Sequence, residues 1–284
     1  MSTAWNDLAE LETVKEQKES ANNLVLFDST NLSFRYLQRK NYDNYVDDYI
    51  RTVTSIANSY NASRVICLFD AGASAYRKSI FPEYKNNRKV ERTPEEQERF
   101  TKFFNCLNDV IDALPFEYYK LKGLEADDMI AYFVQHLKHK YNHVWIISSD
   151  RDLYQLLDEN VSQFSIFSRK EVTLETLQEK YSMSPKEYMF SRIIEGDKGD
   201  NIYGIEGIGP KRSQALVKEY ETLENLVKAI PLKGRAKYIQ NLNAGKETLL
   251  LNEQLINLLD YIDAAIDSCE KSEEIRERLE QALV

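Results

Sequence analysis

Three short apolar runs in this 284-residue chain each end in a carboxylate. They are Leu24-Val25-Leu26-Phe27-Asp28, Val65-Ile66-Cys67-Leu68-Phe69-Asp70 and Val144-Trp145-Ile146-Ile147-Ser148-Ser149-Asp150. Runs this short, rich in β-branched and aromatic residues, predict strands buried on both faces. Helical patterns at 44–59, 94–114 and 126–140 separate them, and strands alternating with helices predict an α/β fold around a mostly parallel sheet. Such sheets bind ligands beyond the carboxyl ends of their strands. One topology therefore gathers Asp28, Asp70 and Asp150 in one crevice.

Six further acids fall in three tight clusters: Glu125, Asp127 and Asp128; Asp152 beside Asp150; and Asp197 with Asp200. Glu125 and Asp128 share a helix face, where acids also serve as ordinary caps at the positive end of the dipole. Asp152 reads equally as an N-cap after a strand. Three carboxylates within four residues repel unless a cation sits among them. Hard cations such as Mg²⁺ take oxygen ligands, and two of them about 3.5–4 Å apart clamp both the attacking and the leaving oxygen of a phosphodiester displacement. The pattern predicts a metal-dependent nuclease.

A net charge of −9 at first opposes a nucleic-acid partner. With the nine clustered acids set aside, however, the remaining acids equal the 37 Lys and Arg. No apolar run approaches the length that spans a bilayer, and no secretory signal opens the chain, so a soluble, cytoplasmic, monomeric protein is expected. Cys67, Cys106 and Cys269 form no metal or redox motif. His136, His139 and His143 read as surface or packing residues.

Beyond residue 182 the pattern turns helical, at 185–194, 213–220, 223–229, 235–242 and 246–261, with a final amphipathic helix over 270–284. Within it Gly196-Asp197-Lys198-Gly199-Asp200-Asn201 leads to Gly204-Ile205-Glu206-Gly207-Ile208-Gly209-Pro210-Lys211-Arg212, a helix–hairpin–helix signature. Its glycines let a turn present N–H groups to a backbone phosphate, which positions DNA without specifying sequence. Upstream, Tyr76-Arg77-Lys78 and Tyr84-Lys85-Asn86-Asn87-Arg88-Lys89 interleave aromatics with cations, as suits single-stranded nucleic acid.

Taken in order, Phe-Asp-Ser-Thr-Asn (27–31), Leu-Phe-Asp (68–70), Tyr-Lys-Asn-Asn-Arg (84–88), Leu-Glu-Ala-Asp-Asp (124–128), Ser-Ser-Asp-Arg-Asp (148–152), Gly-Asp-Lys-Gly-Asp-Asn (196–201) and Gly-Ile-Gly-Pro-Lys-Arg (207–212) resemble the 5′ nuclease, or flap endonuclease, superfamily and its phage 5′→3′ exonucleases. The resemblance, over about 22–262, implies a PIN-like core at 23–183 carrying a helical arch (about 76–114). It further implies a helix–hairpin–helix (H3TH) region at 184–262, between a leader (1–22) and a helical tail (263–284). It implies hydrolysis of flapped, nicked or 5′-ended DNA by two Mg²⁺ ions, with Mn²⁺ able to substitute, leaving 5′-phosphate. Asp28, Asp70, Glu125, Asp127, Asp128, Asp150 and Asp152 would hold metal, with Asp197 and Asp200 completing the second site. Lys85 and Arg88 would act on the scissile phosphate. Arg35, Tyr84, Lys89, Gly207, Gly209, Lys211 and Arg212 would contact DNA, and the carbonyls of Gly204, Gly207 and Gly209 would bind K⁺.

Two rivals are weighed. A PIN-type ribonuclease shares the acidic core but has no need of a duplex-gripping hairpin. A catalytically silent, structure-specific DNA-binding protein has no need of nine acids.

Overall fold

The computed structural model describes residues 22–37, 43–88 and 92–284. Residues 1–21 of the 1–22 leader, and Lys89, lie outside the described residues. Six strands form one sheet: β1 (Asn23–Asp28), β2 (Ala62–Leu68), β3 (Glu117–Tyr119), β4 (His143–Ile147), β5 (Val161–Ser165) and β6 (Lys170–Val172), in the order β3-β2-β1-β4-β5-β6. All neighbours are parallel except β5 and β6. The strand order reverses at β1, which pairs with β2 on one side and β4 on the other. That switch opens the crevice where α/β sheets place their ligands.

Helices α1 (Ser29–Phe34), α2 (Tyr45–Ser59), α3 (Ala75–Ile80), α4 (Pro94–Ala113), α5 (Ala126–Leu137) and α6 (Leu174–Tyr181) accompany the strands. Because successive strand residues point to opposite faces, β1 supplies two cores. Leu24 and Leu26 pack with Ile66, Leu68 and the apolar face of α5. Val25 and Phe27 pack with Val65, Cys67 and the α2–α4 pair, where Tyr45, Tyr49 and Phe103 are fully buried. α4 opens with a Thr93–Glu96 capping box and Pro94 at its first position.

The second part contains α7 (Pro185–Glu195), the two-stranded hairpin β7 (Gly196–Asp197) and β8 (Ile202–Tyr203), then α8 (Pro210–Tyr220), α9 (Leu223–Ala229), α10 (Lys237–Ala244) and α11 (Lys246–Ile256). Ile193, Ile194, Val217, Leu226, Leu242 and Leu249 form its own core. α8 begins at Pro210 rather than 213, because proline is preorganised for a first helical position.

The pattern at 246–261 is two helices. Asn257 ends α11 and, by accepting the Asp260 N–H at 3.1 Å, caps α12 (Leu258–Asp267), which is followed by α13 (Ser272–Gln281). These last helices turn back onto the first part. Leu258, Ile262, Ile266, Ile275 and Leu279 join the Leu24–α5 core, and the Arg64 guanidinium donates to the Ala282 carbonyl at 2.6 Å. Residues 263–281 are thus a structural layer of the sheet.

Leu279 is fully buried. Leu279→Ala should cost about 2–5 kcal/mol in a urea titration. An unchanged midpoint would show that α13 is peripheral.

Candidate active site

Each strand end is tied to its neighbours. The Ser148 hydroxyl donates to Asp28 Oδ2 at 2.7 Å, while Asp28 Oδ1 caps α1 by accepting the Asn31 N–H at 3.0 Å. Ser149 N–H donates to Asn31 Oδ1 at 3.1 Å, and Asp70 N–H to Thr30 Oγ1 at 2.8 Å. Asp70 in turn accepts the Ala126 N–H at 2.7 Å, which brings the start of α5 to the same crevice. Buried Gln163, on β5, clamps the turn after β4 by donating to the Ser148 and Asp150 carbonyls at 2.8 and 2.7 Å.

Glu125, Asp127 and Asp128 offer carboxylate oxygens within 4.8 Å of one another. The Arg77 guanidinium, 4% exposed, lies among them. It reaches Glu125 at 2.9 Å, Asp128 at 2.8 Å and Asp127 at 3.5 Å, and its Nε donates to the Leu255 carbonyl at 3.0 Å. Read in sequence as part of a nucleic-acid-facing run, Arg77 is instead the counter-ion of the acidic cluster. Its neighbour Tyr76 stacks on Tyr261. Burial pushes the Asp127 and Asp128 carboxyls up, against the opposing pull of Arg77. Burial also raises Glu125, but Lys85 and Arg77 outweigh it and hold that carboxyl below its usual range. The capping reading of this cluster is realised as well, since Asp128 Oδ2 accepts the Glu125 N–H at 3.0 Å.

The segment 83–88 is stitched to the loop 197–201. Lys85 N–H donates to the Asp200 carbonyl at 2.9 Å, Asn87 to the Lys198 carbonyl at 2.7 Å, and Asn201 to the Glu83 carbonyl at 2.8 Å. Lys85 Nζ is 2.5 Å from Glu125 and 3.6 Å from Asp200, and Arg88 also pairs with Asp200. Lys85 is held at a φ of 55°, an uncommon left-handed conformation for a side chain of this kind, of the type that concentrates at working sites. Tyr84, expected at a DNA strand, is 1% exposed; its hydroxyl meets Glu125 at 2.7 Å and Asp200 at 3.1 Å, so it braces two acids instead.

Asp152 and Asp197 face each other across Arg192, whose Nε donates to Asp152 at 3.0 Å and Nη2 to Asp197 at 2.7 Å. Sequence reasoning placed Arg192 on a helix and no further. Its only signal there was a cation one turn before the Gly-Asp of 196–197. Gln155, also missed, donates to the Asp152 and Ile256 carbonyls at 2.7 and 3.0 Å and accepts the Leu258 N–H at 2.9 Å, anchoring the acid turn to the α11–α12 corner. At the hairpin, Gly204 packs so close to Glu195 that a Cβ would lie 1.9 Å from its carbonyl oxygen. Gly207 has a φ of 83°, and Gly209 is the N-cap of α8. Lys211 and Arg212 are exposed beside it, and Arg212 donates to the Gly207 carbonyl at 2.5 Å. Arg35 is exposed at the end of α1.

Residues 23–182 match the family model described as a 5′-3′ exonuclease N-terminal, resolvase-like domain, and residues 183–281 match the 5′-3′ exonuclease C-terminal SAM fold. The chain belongs to the 5′-3′ exonuclease family. It is 39% identical over 272 residues to the flap endonuclease of Escherichia phage T5, covering 94% of this chain and 93% of that one. A thermostable DNA polymerase I of Thermus thermophilus is 32% identical over 203 residues, which span 72% of this chain and 24% of the polymerase. Among solved structures, the T5 D15 protein co-crystallized with metal ions matches with a TM-score of 0.87 at 36% identity, over 92% of this chain and 98% of that one. A T5 D15 flap endonuclease pseudo-enzyme-product complex with DNA and metal ions gives the same TM-score, over 92% and 99%. The protein is accordingly a structure-specific 5′→3′ nuclease of the flap endonuclease class.

The donor set of this exonuclease fits divalent ions: it is all oxygen, and its charge is incompletely balanced. Burial, then the neighbouring Asp70, pushes Asp28 up to about 7, and burial, then Asp150, does the same to Asp152. A carboxyl raised from an ordinary 3.8 binds more protons folded than unfolded between about pH 4 and 7, so stability falls as pH rises through that window. With chelator present, Tm should therefore drop from pH 5 to pH 8, and drop less in Asp152→Asn. A flat profile would refute the linkage.

Arg77→Met strips the buried acids of their cation, and should cost about 3–5 kcal/mol in chelator. Millimolar Mg²⁺ should recover much of that stability, as read by denaturant titration.

Proposed function

We propose that this nuclease hydrolyses phosphodiester bonds of 5′-flapped, nicked or 5′-ended DNA during replication, with two Mg²⁺ ions and release of 5′-phosphate. The observation that carries the reading is a chain of facing carboxylates from five segments, Asp28 with Asp70 and Asp150, Asp70 with Glu125, Asp150 with Asp197 and Asp200, and Asp152 with Asp197, with Lys85 and Arg88 paired to Asp200. Asp28, Asp70, Glu125, Asp127, Asp128 and Asp150 would hold one ion, and Asp152, Asp197 and Asp200 the other. Bound there, the ions supply an acidified water and stabilise charge on both reacting oxygens.

The chain's own residues orient the substrate. Lys85, fixed by Glu125 and Asp200, presents one cation toward a phosphate, and such preorganised charge is worth most in a site shielded from water. Arg88 is the more exposed of the two and meets the strand earlier. Exposed Lys211 and Arg212, at the positive end of α8, grip a duplex backbone without reading its sequence. Exposed Arg35 would contact the displaced strand. The Gly204, Gly207 and Gly209 carbonyls would take K⁺, which would share Gly207 with Arg212. The enzyme acts as a monomer. Among the described residues no helix is long and apolar enough to cross a membrane.

Asp197→Asn should abolish cleavage of a 5′-labelled flap in Mg²⁺ while leaving flap binding in Ca²⁺ within about twofold. Unchanged turnover would remove Asp197 from the metal set. Lys85→Ala should lower the single-turnover rate by about 10²–10³-fold with little change in affinity. Incubating flap, nicked and single-stranded DNAs, and an RNA counterpart, with Mg²⁺ and with chelator tests the whole reading. Cleavage of RNA alone would favour the ribonuclease rival, and no cleavage at all would favour a binding protein.

A further inference from the structure

Arg77 and Arg192 each bridge two or more acids of this site, and they are built differently. Arg77 has 5% of its side chain exposed and is held from three sides by Glu125, Asp128 and the Leu255 carbonyl, with Asp127 at 3.5 Å. A cation so enclosed is a permanent part of the fold. Arg192 also donates to a backbone carbonyl, that of Gly196 at 3.2 Å, but 23% of its side chain is exposed, and it lines a cavity of about 800 Å³ together with Asp150, Asp152, Tyr188, Glu195 and Asp197. The two acids it bridges belong to different halves of the chain: Asp152 follows β4, and Asp197 lies in the hairpin after α7.

We propose that the Arg192 guanidinium is a resident counter-cation in the seat between Asp152 and Asp197, displaced when the second divalent ion binds, so that Arg192 is a positioning residue that sets the affinity of that seat. The inference rests on the two-metal reading above. A divalent ion and a guanidinium compete for the same carboxylate oxygens, and the ion brings twice the charge to them. The displaced side chain has somewhere to go. Glu195 lies three residues along the same helix, at a spacing that puts both on one face. Glu195 already accepts from Ser191 at 2.8 Å and from Ser213, but both bonds fall on Oε1, which leaves Oε2 for Arg192. Ser213 sits in the first turn of α8, so the landing place is fastened to the helix that receives the DNA backbone.

Without metal, Arg192 keeps Asp152 and Asp197 from repelling each other and fixes the hairpin acid near the core acid. With metal it withdraws, and the same two oxygens become ligands. A resident cation of this kind weakens the second seat relative to the first, and so makes loading of that seat depend on metal concentration.

The test is direct binding of Mn²⁺ to the full, metal-free chain, followed by electron paramagnetic resonance, for the native protein, Arg192→Met and Arg192→Lys. The expected result is two classes of site in the native protein. In Arg192→Met the weaker class tightens about tenfold while the tighter class is unchanged, and Arg192→Lys, which keeps the charge but not the fork, falls between. A weaker class that is unchanged or loosened in Arg192→Met overturns the proposal. Should Arg192→Met fail to fold, the native protein still decides the question. In a ¹⁵N spectrum the Arg192 Nε–H resonance should shift on the second equivalent of Mg²⁺ while that of Arg77 stays in place, and an unmoved Arg192 resonance overturns displacement. Absence of any saturable Mn²⁺ binding by the native protein, with no nuclease activity, sinks the two-metal reading itself.

Discussion

Like charge confined away from water is the constraint that organises this molecule. Glu125, Asp127 and Asp128 lie at the buried start of a helix that packs on a parallel sheet, and they share that space because the Arg77 guanidinium lies among them and Lys85 pairs with Glu125. A guanidinium can do this because its planar fork satisfies several oxygens at once and its charge is not lost on burial. The same contact fixes α3 against α5, and through the Leu255 carbonyl it fixes both to the end of α11. Electrostatics at the site and the packing of the two halves are therefore one problem.

The parallel sheet and its crevice were legible because hydrophobic runs ending in acids carry both facts at once: the run marks a buried strand, and the acid marks its carboxyl end. Long periodic helices were legible too, as at Pro94–Ala113. The sequence reading missed β5, and the reason lies in what that strand does. Ser162, Gln163 and Ser165 are buried polar residues, so no apolar run announces the strand. Gln163 and Ser165 nevertheless bond the turn that presents Asp150, through the Ser148 and Asp150 carbonyls and the Ser149 hydroxyl. Support for an acid turn is paid for in legibility.

The site residues divide in the same way. Carboxylates at strand ends are visible one by one, whereas a cation that balances them is visible only in three dimensions. Arg77 and Tyr84 sit in a basic, aromatic stretch that looks suited to nucleic acid, yet both face inward. Local composition records charge and ring but not direction. The break at Asn257 was hidden for a related reason: α11 and α12 continue one apolar rhythm, and a single capping side chain divides them.

That division lets α12 and α13 return to the first half and cover the apolar face of α5. The layer that completes the nuclease core is thus encoded far downstream of the strands and acids it shelters, with the whole hairpin segment in between. On a ribosome, the sheet emerges long before its cover. The nascent chain carries an open hydrophobic face until α13 has been made, so this core closes only after the hairpin region has already left the tunnel. Order of synthesis ensures that no sealed, acid-bearing core precedes the hairpin that carries Asp197.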